Sequence, residues 1–198
     1  MIYLASQSPR RQTLLNQIGV EFHPICCEID ERPRPGEQSG DYVLRMAVEK
    51  AERGWKKIEQ EQLPHHPVLA ADTSIRLDNS ILGKPESPEH ALNMLTRLSG
   101  RKHQVLTSVA VILADRLETS VSITQVHMAA LSDQQMQDYV ATGEPMDKAG
   151  SYAIQGLGAV LVESIVGSYS GVMGLPLHNT SELLRGFGIP VWHNTHDT

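Results

Sequence analysis

The chain is poor in cysteine, poor in aromatic residues and without any long apolar run. Of its 198 residues, two are cysteine and 5% are aromatic. Cys26 and Cys27 are neighbours, which makes a poor structural disulfide, and two sulfurs are too few for a structural zinc site. In the apolar run Phe22-His23-Pro24-Ile25-Cys26-Cys27 they read as buried free thiols of a protein kept in a reducing cytoplasm. No apolar stretch approaches the ~20 residues of a membrane span, and no basic segment precedes an apolar one near Met1. Neither a membrane anchor nor a secretory signal is therefore expected. A basic excess is lacking too. Seventeen Lys and Arg stand against 23 Asp and Glu, a formal net charge of −6. With no basic–aromatic array, this argues against a nucleic-acid-binding module or a polybasic membrane binder. A local basic cleft on an acidic surface stays possible. No internal repeat, low-complexity stretch or clear linker is visible, and 40% hydrophobic content is enough for a core. The expectation is a single domain over 1–192, its lobes sharing one sheet, and a flexible tail over 193–198.

What is present begins with the first eleven residues. An apolar strand runs into Ser6-Gln7-Ser8-Pro9-Arg10-Arg11. Ser8 is a good N-cap and Pro9 fits the first helical position, where a missing N–H costs nothing. Arginine is unfavourable there, because it adds positive charge to the positive end of the helix dipole. Two arginines in that turn point to an anion, which free amides, serine hydroxyls and guanidinium forks at a helix start would bind. Taken alone, the segment is equally two surface arginines on an ordinary helix.

The pattern along the chain predicts a mixed α/β fold. Strands are expected over 2–5, 21–27 and 67–71, the last ending at Asp72-Thr73. A hairpin follows, 74–77 with 80–82 around Asp78-Asn79. Two long alternating runs, 102–114 and 118–129, join at Asp115-Arg116, and a strand covers 159–166. Helices are expected over 9–18, 39–59, 89–98, 132–142 and 176–187, and residues 28–38 form a charged, proline-rich loop. Val43, Leu44, Ala47, Val48 and Ala51 make the apolar stripe of the long helix. Adjacent long strands in the middle make an all-parallel sheet unlike this chain.

Several side chains have positions suited to chemistry. Lys50 lies at the rim of its helix's apolar stripe, where it either snorkels past the core or projects into a cleft. Asp72 directly follows Val68-Leu69-Ala70-Ala71, and a carboxylate there can hold a metal, accept a proton or cap a turn. Lys84 sits between Gly83 and Pro85 outside any phosphate-binding P-loop, and Gly156-Leu157-Gly158 lacks the rest of a dinucleotide fingerprint. The aperiodic run Asp147 to Gly156 is of the kind that binds ligand. Glu31, in the proline-rich loop, is taken alone more often a solvated loop charge than a carboxylate that reaches into a cleft.

In their joint order these pieces resemble the Maf family of nucleoside triphosphate pyrophosphatases, over roughly 2–191. The matching pieces are Ser6-x-Ser8-Pro9-Arg10-Arg11, Asp30-Glu31, Glu49-Lys50-Ala51, Ala71-Asp72-Thr73, Gly83-Lys84-Pro85, Ser99-Gly100 with His103 and Thr107, Asp147-Lys148-Ala149-Gly150, Ile154-Gln155-Gly156 and Gly174-Leu175-Pro176. The resemblance implies a mixed-sheet fold like that of the inosine triphosphate pyrophosphatases, with two lobes flanking a deep cleft. It implies a cytoplasmic homodimer that splits nucleoside triphosphates into monophosphate and pyrophosphate with Mg²⁺ or Mn²⁺. It assigns Asp72 as the base, Ser8, Arg11, Lys50 and Lys84 to the phosphates, and Glu31 with Asp72 to the metal. Arg10, Thr73 and Gln155 agree with the members that take dTTP and UTP, where the 7-methyl-GTP type tends to Trp, Gln and Glu. Gln7 departs from the small residue many members carry. A 7-methyl-GTP pyrophosphatase and a nucleotide-sensing regulator of cell division are the alternatives.

Overall fold

The structure, a computed structural model, describes residues 1–78 and 80–192. The proposed tail over 193–198 lies outside the described residues. The elements in order are β1 (Ile2–Leu4), α1 (Pro9–Gln17), β2 (Phe22–Pro24), α2 (Ser39–Gln60), β3 (Val68–Leu77), β4 (Ser80–Leu82), α3 (Pro88–Leu98), β5 (Lys102–Leu113), β6 (Arg116–Met128), α4 (Asp133–Ala141), β7 (Val162–Val166), α5 (Tyr169–Met173) and α6 (Leu177–Gly186). One sheet has the order β2-β1-β3-β5-β6-β7, with β4 added on β3. β1 runs parallel to β2 and β3, and all other pairs are antiparallel. The expected mixed α/β architecture is thus observed.

Strand alternation decides which helix each face meets. Val68 and Ala70 of β3, with Ala110 and Ile112 of β5, pack under α2 against Ala47, Ala51, Trp55 and Ile58. Leu69 and Ala71, with Val109 and Val111, pack on the opposite face against Leu14 and Leu15 of α1 and Leu184 of α6. Further along, Ile75, Leu77, Val105 and Val126 meet α3 and α4 through Leu95, Leu98, Met136 and Tyr139. The α2 stripe holds Val43, Ala47 and Ala51 fully buried as expected, but Leu44 and Val48 are half-buried and Met46 takes a core place.

α2 lies unusually close to β3. A Cβ on Gly54 would come within 2.8 Å of Val68 Cγ1 and 3.1 Å of Ile25 Cδ1. Lys50 is one turn before Gly54 on the same face, and Asp72 is four residues after Val68 on the face that α2 covers. The close approach at Gly54 therefore sets the height of Lys50 above Asp72.

Several expectations are corrected. β3 does not end at Ala71 but continues through Asp72 and Thr73 to Leu77, because the backbone ladder to Ser108 and Thr107 of β5 is uninterrupted. β2 stops at Pro24 rather than Cys27. The ladder makes one more bond beyond Pro24, from the Ile25 amide to the Leu4 carbonyl at 2.9 Å, and the chain then leaves the sheet with only Ile25 entering the core. Cys26 is consequently exposed and Cys27 half-buried, so neither is the core thiol expected. The β5–β6 turn is Ala114-Asp115, since Leu113 pairs with Arg116. β7 starts at Val162, after a 3-10 turn over Leu157–Leu161, and α6 starts at Leu177 with Pro176 as its cap. The short helix α5 has no counterpart in the sequence reading.

Candidate active site

A cleft of about 730 Å³ opens between the sheet and the loops around it. Its lining draws on the 5–11 segment, the chain after β2, α2, the middle of β3, the β4 loop, residues 147–155 and the end of α5. Every residue singled out from the sequence as a site residue lies on it: Ser8, Arg10, Arg11, Glu31, Lys50, Asp72, Thr73, Lys84 and Gln155. Five cations face four carboxylates there, on a chain with an acidic excess. An anion entering the cleft meets a locally basic surface.

Lys50 and Asp72 form the centre. Lys50 Nζ is 2.7 Å from Asp72 Oδ1 and 2.7 Å from Glu31 Oε1. The lysine therefore projects into the cleft rather than snorkelling past the core. Burial pushes the Asp72 carboxyl above its ordinary value, although Lys50 and Arg11 pull it down. The Glu31 carboxyl is also burdened by burial, but the hydrogen bond and charge of Lys50 win and hold it below its usual range.

Glu31 reaches Lys50 because the proline-rich loop is fastened to α2. Arg45 forks onto Glu37 at 2.6 and 2.7 Å, bonds Glu49 at 3.3 Å and donates to the Arg32 carbonyl at 3.2 Å. Tyr42 donates to the Glu31 carbonyl at 2.9 Å. Burial, with Asp72 and Glu31 nearby, pushes the Tyr42 phenol up to about 12, so it stays a donor at neutral pH. Arg45, Glu37 and Tyr42 carried no signal in the sequence beyond helix periodicity and loop charge.

Asp72 and Thr73 are neighbours on opposite faces of β3, and Thr73 serves α1. Arg11 donates from Nε to the Gly174 carbonyl at 2.9 Å, from Nη1 to Ser6 Oγ at 3.1 Å and from Nη2 to Thr73 Oγ1 at 3.4 Å. Thr107, directly across the ladder from Thr73, donates to the Gly171 carbonyl at 2.8 Å. Its oxygen can then only accept the Thr73 hydroxyl, 3.0 Å away, which leaves the Thr73 oxygen to accept from Arg11. The direction of every proton in this chain is fixed, and it holds the Arg11 guanidinium against the cleft.

The first turn of α1 has Pro9 at its start, no acidic residue, and no cap bond from the Ser8 side chain. Its dipole and the Ser8 hydroxyl thus face the cleft unanswered. Arg10 is 3.6 Å from Asp147, which also pairs with Lys148. Arg11 and Lys84 pair with no carboxylate among the described residues. The Gly150 amide donates to the Gly83 carbonyl at 3.0 Å, tying the 147–155 wall to the loop that carries Lys84.

Glu31 and Asp72 are hard oxygen donors that converge on one ammonium, a place suited to a cation. Among the described residues no group of three or more His, Cys, Asp or Glu could hold a metal alone. The pair fits Mg²⁺ or Mn²⁺ brought in on phosphate oxygens, since such ions take one or two carboxylates and fill their shell with phosphate and water. Also among the described residues, no helix is long and apolar enough to cross a membrane.

The family described as Maf-like protein matches residues 1–187. A protein of Aromatoleum aromaticum named dTTP/UTP pyrophosphatase is 48% identical, over 96% of this chain and 97% of its own length. Relatives of the same name are 50% identical in Pasteurella multocida and 53% in Methylobacillus flagellatus, each over 96% of this chain and 97% and 94% of their own lengths. The solved structure of the Staphylococcus aureus Ham1 protein is 14% identical, covers 94% of this chain and 96% of its own, and has a TM-score of 0.46. The chain belongs to the Maf-like protein family.

Proposed function

We propose that this protein hydrolyses dTTP and UTP to the nucleoside monophosphate and pyrophosphate. The observation that carries the reading is the convergence of Lys50 on Asp72 and Glu31, beside a pinned Arg11, in a locally basic cleft. The relatives named dTTP/UTP pyrophosphatase support the substrate pair.

In the reaction a water oxygen bonds to phosphorus, the P–O bond bridging the α and β phosphates breaks, and pyrophosphate leaves with the bridging electrons. Asp72 takes the water's proton. Its burial makes it a stronger base than an exposed aspartate, while Lys50 and Arg11 keep the carboxylate form available. Arg11, Lys50, Lys84, the Ser8 hydroxyl and the α1 amides neutralise and orient the phosphate oxygens, which is most of what such a reaction requires. Glu31 and Asp72 are the residues that would hold a divalent metal. When bound, Mg²⁺ or Mn²⁺ supplies further charge neutralisation on the phosphates.

Gln155 reads the base. Its amide offers a donor and an acceptor, which suits the O4 and N3–H edge of uracil or thymine, whereas cytosine reverses that pattern. Arg10 stands in the same wall through Asp147, and Thr73 acts through Arg11. The same reading makes the protein a cytoplasmic homodimer with nucleoside triphosphates as its ligands.

The test is pyrophosphate release from dTTP, UTP, CTP, GTP and 7-methyl-GTP with Mg²⁺ or Mn²⁺, beside an Asp72→Asn control. Fast release from dTTP and UTP that is lost in the variant is the expected result. Preference for 7-methyl-GTP would discard the role of Gln155. Binding without turnover of any nucleotide would replace the enzyme by a nucleotide sensor.

A further inference from the structure

The wall that carries Gln155 belongs to no strand or α-helix, yet it is held at several points. Tyr139, on α4, donates its hydroxyl to Glu144 Oε2 at 2.7 Å and accepts the Ala153 amide at 3.1 Å. Glu144 accepts the Leu157 amide on Oε1 and the Gly158 amide on Oε2, both at 2.9 Å. On the near side, Tyr152 shares a 2.7 Å hydrogen bond with His103 Nε2. These bonds grip residues on both sides of Gln155 and leave its side chain to the cleft.

Neither Glu144 nor Tyr139 lines the cleft. Glu144 lies under the turn, so close that a Cβ on Gly156 would collide with its Oε1. Only glycine at 156 lets the carboxylate reach both amides. Burial opposes the ionised form of Glu144, but the Tyr139 hydroxyl and the two amides outweigh it and hold the carboxyl below its usual range. A carboxylate is the one side chain that can accept three donors from this side.

We infer that Glu144 and Tyr139 are positioning residues that set base selectivity by fixing where the Gln155 amide stands. The inference rests on the reading of Gln155 given above. An amide discriminates uracil from cytosine only while its donor and acceptor are held in one orientation. An amide free to shift or flip pairs with either base edge. The groups assigned to the phosphates and the water, Arg11, Lys50, Lys84 and Asp72, stand on α1, α2, the β4 loop and β3. Gly150, which ties the wall to the Lys84 loop, is not among the residues that Glu144 and Tyr139 hold, so loosening the turn around Gln155 spares the chemistry at the phosphates.

The experiment uses the full chain with Mg²⁺ and compares wild type, Glu144→Gln and Tyr139→Phe. Pyrophosphate release from dTTP and CTP gives kcat and KM for each, and hydrogen exchange reports the Leu157 and Gly158 amides in the absence of nucleotide. Glu144→Gln keeps the side chain's size but replaces one acceptor by a donor, and decides the matter should Tyr139→Phe not fold. The expected result is at least a ten-fold fall in the dTTP-to-CTP ratio of kcat/KM, carried by KM for dTTP. kcat for CTP should stay within about three-fold, and the two amides should exchange at least ten-fold faster. An unchanged ratio overturns the inference, whether or not the amides loosen. So does an equal loss on both substrates, which marks a merely structural role. A wild type that turns over neither dTTP nor UTP sinks the proposed function itself and is recognised before any variant is measured.

Discussion

Lys50 Nζ stands 2.7 Å from Asp72 Oδ1, with both side chains about one-eighth exposed. The pair joins α2 to the middle of β3 at the floor of the cleft. A carboxylate in that position would be costly alone, and the lysine is what makes the place tenable. The same ammonium also recruits Glu31 from a loop, so one lysine organises the two acids of the site.

Lys50→Met should therefore lose turnover by at least about 100-fold, because a phosphate-facing cation and the partner of Asp72 disappear together. It should also cost about 3 kcal/mol of stability, since an unpaired carboxylate is left in a buried place. The double variant Lys50→Met/Asp72→Asn should regain most of that stability and none of the activity. Urea melts and steady-state kinetics on Lys50→Met, Asp72→Asn and the double variant check this. Additive stability losses would show that the pair is not coupled.

Thr107 makes a second prediction. It is 1% exposed and passes the hold on Arg11 from Gly171 to Thr73. Thr107→Val keeps its shape but leaves the Thr73 hydroxyl without its acceptor and takes one of two donors from the Gly171 carbonyl, which keeps the Gly174 amide at 3.0 Å. KM for the triphosphate should rise about ten-fold, with about 1–3 kcal/mol of stability lost. Thr107→Ser, which retains the hydroxyl, should restore both values. Equal KM in the Val and Ser variants would remove this chain from the binding of phosphate.

Much of this site was legible because its residues sit at element ends and helix rims. Pro9 and the two arginines mark α1, and the rim position of Lys50 follows from helical spacing alone. The continuation of β3 through Asp72 was not legible. Aspartate is a poor strand former, and the lysine that answers it lies 22 residues earlier in the chain. Glu144 was invisible for a different reason. Two of its three partners are backbone amides, and those leave no trace in sequence. Cys26 and Cys27 looked like core because apolar neighbours hide the point after Ile25 where the chain leaves the sheet.

Gly54 should be the most sensitive glycine of α2. Gly54→Ala gains about 1 kcal/mol of helix propensity but forces a methyl into Val68, Ile25 and Ala5, an overpacking worth about 1–3 kcal/mol. Net stability should fall by about 1 kcal/mol. Turnover should fall several-fold, because lifting α2 from β3 draws Lys50 away from Asp72. Gly40→Ala, on the same helix with nothing within 4 Å of the added carbon, is the control and should leave activity unchanged. Loss of turnover in both variants would point to helix stiffness rather than helix height.

His103 ties stability to pH. It is 3% exposed and bonded to Tyr152 through Nε2, and among the described residues its Nδ1 has no partner. Burial pushes its pKa down to about 4. In the unfolded chain it returns to about 6.5. Between those values the unfolded state binds a proton that the folded state refuses, so stability rises with pH across that window. The contribution is fully present above pH ~6.5 and is lost as the pH falls toward ~4, about 3 kcal/mol in all. Urea melts of wild type and His103→Gln at pH 7 and pH 4.5 isolate it from other groups. The stability difference between the two proteins should move by about 2 kcal/mol in favour of the variant at the lower pH. A difference that stays constant would mean that His103 accepts its proton in the folded protein as readily as in the unfolded one.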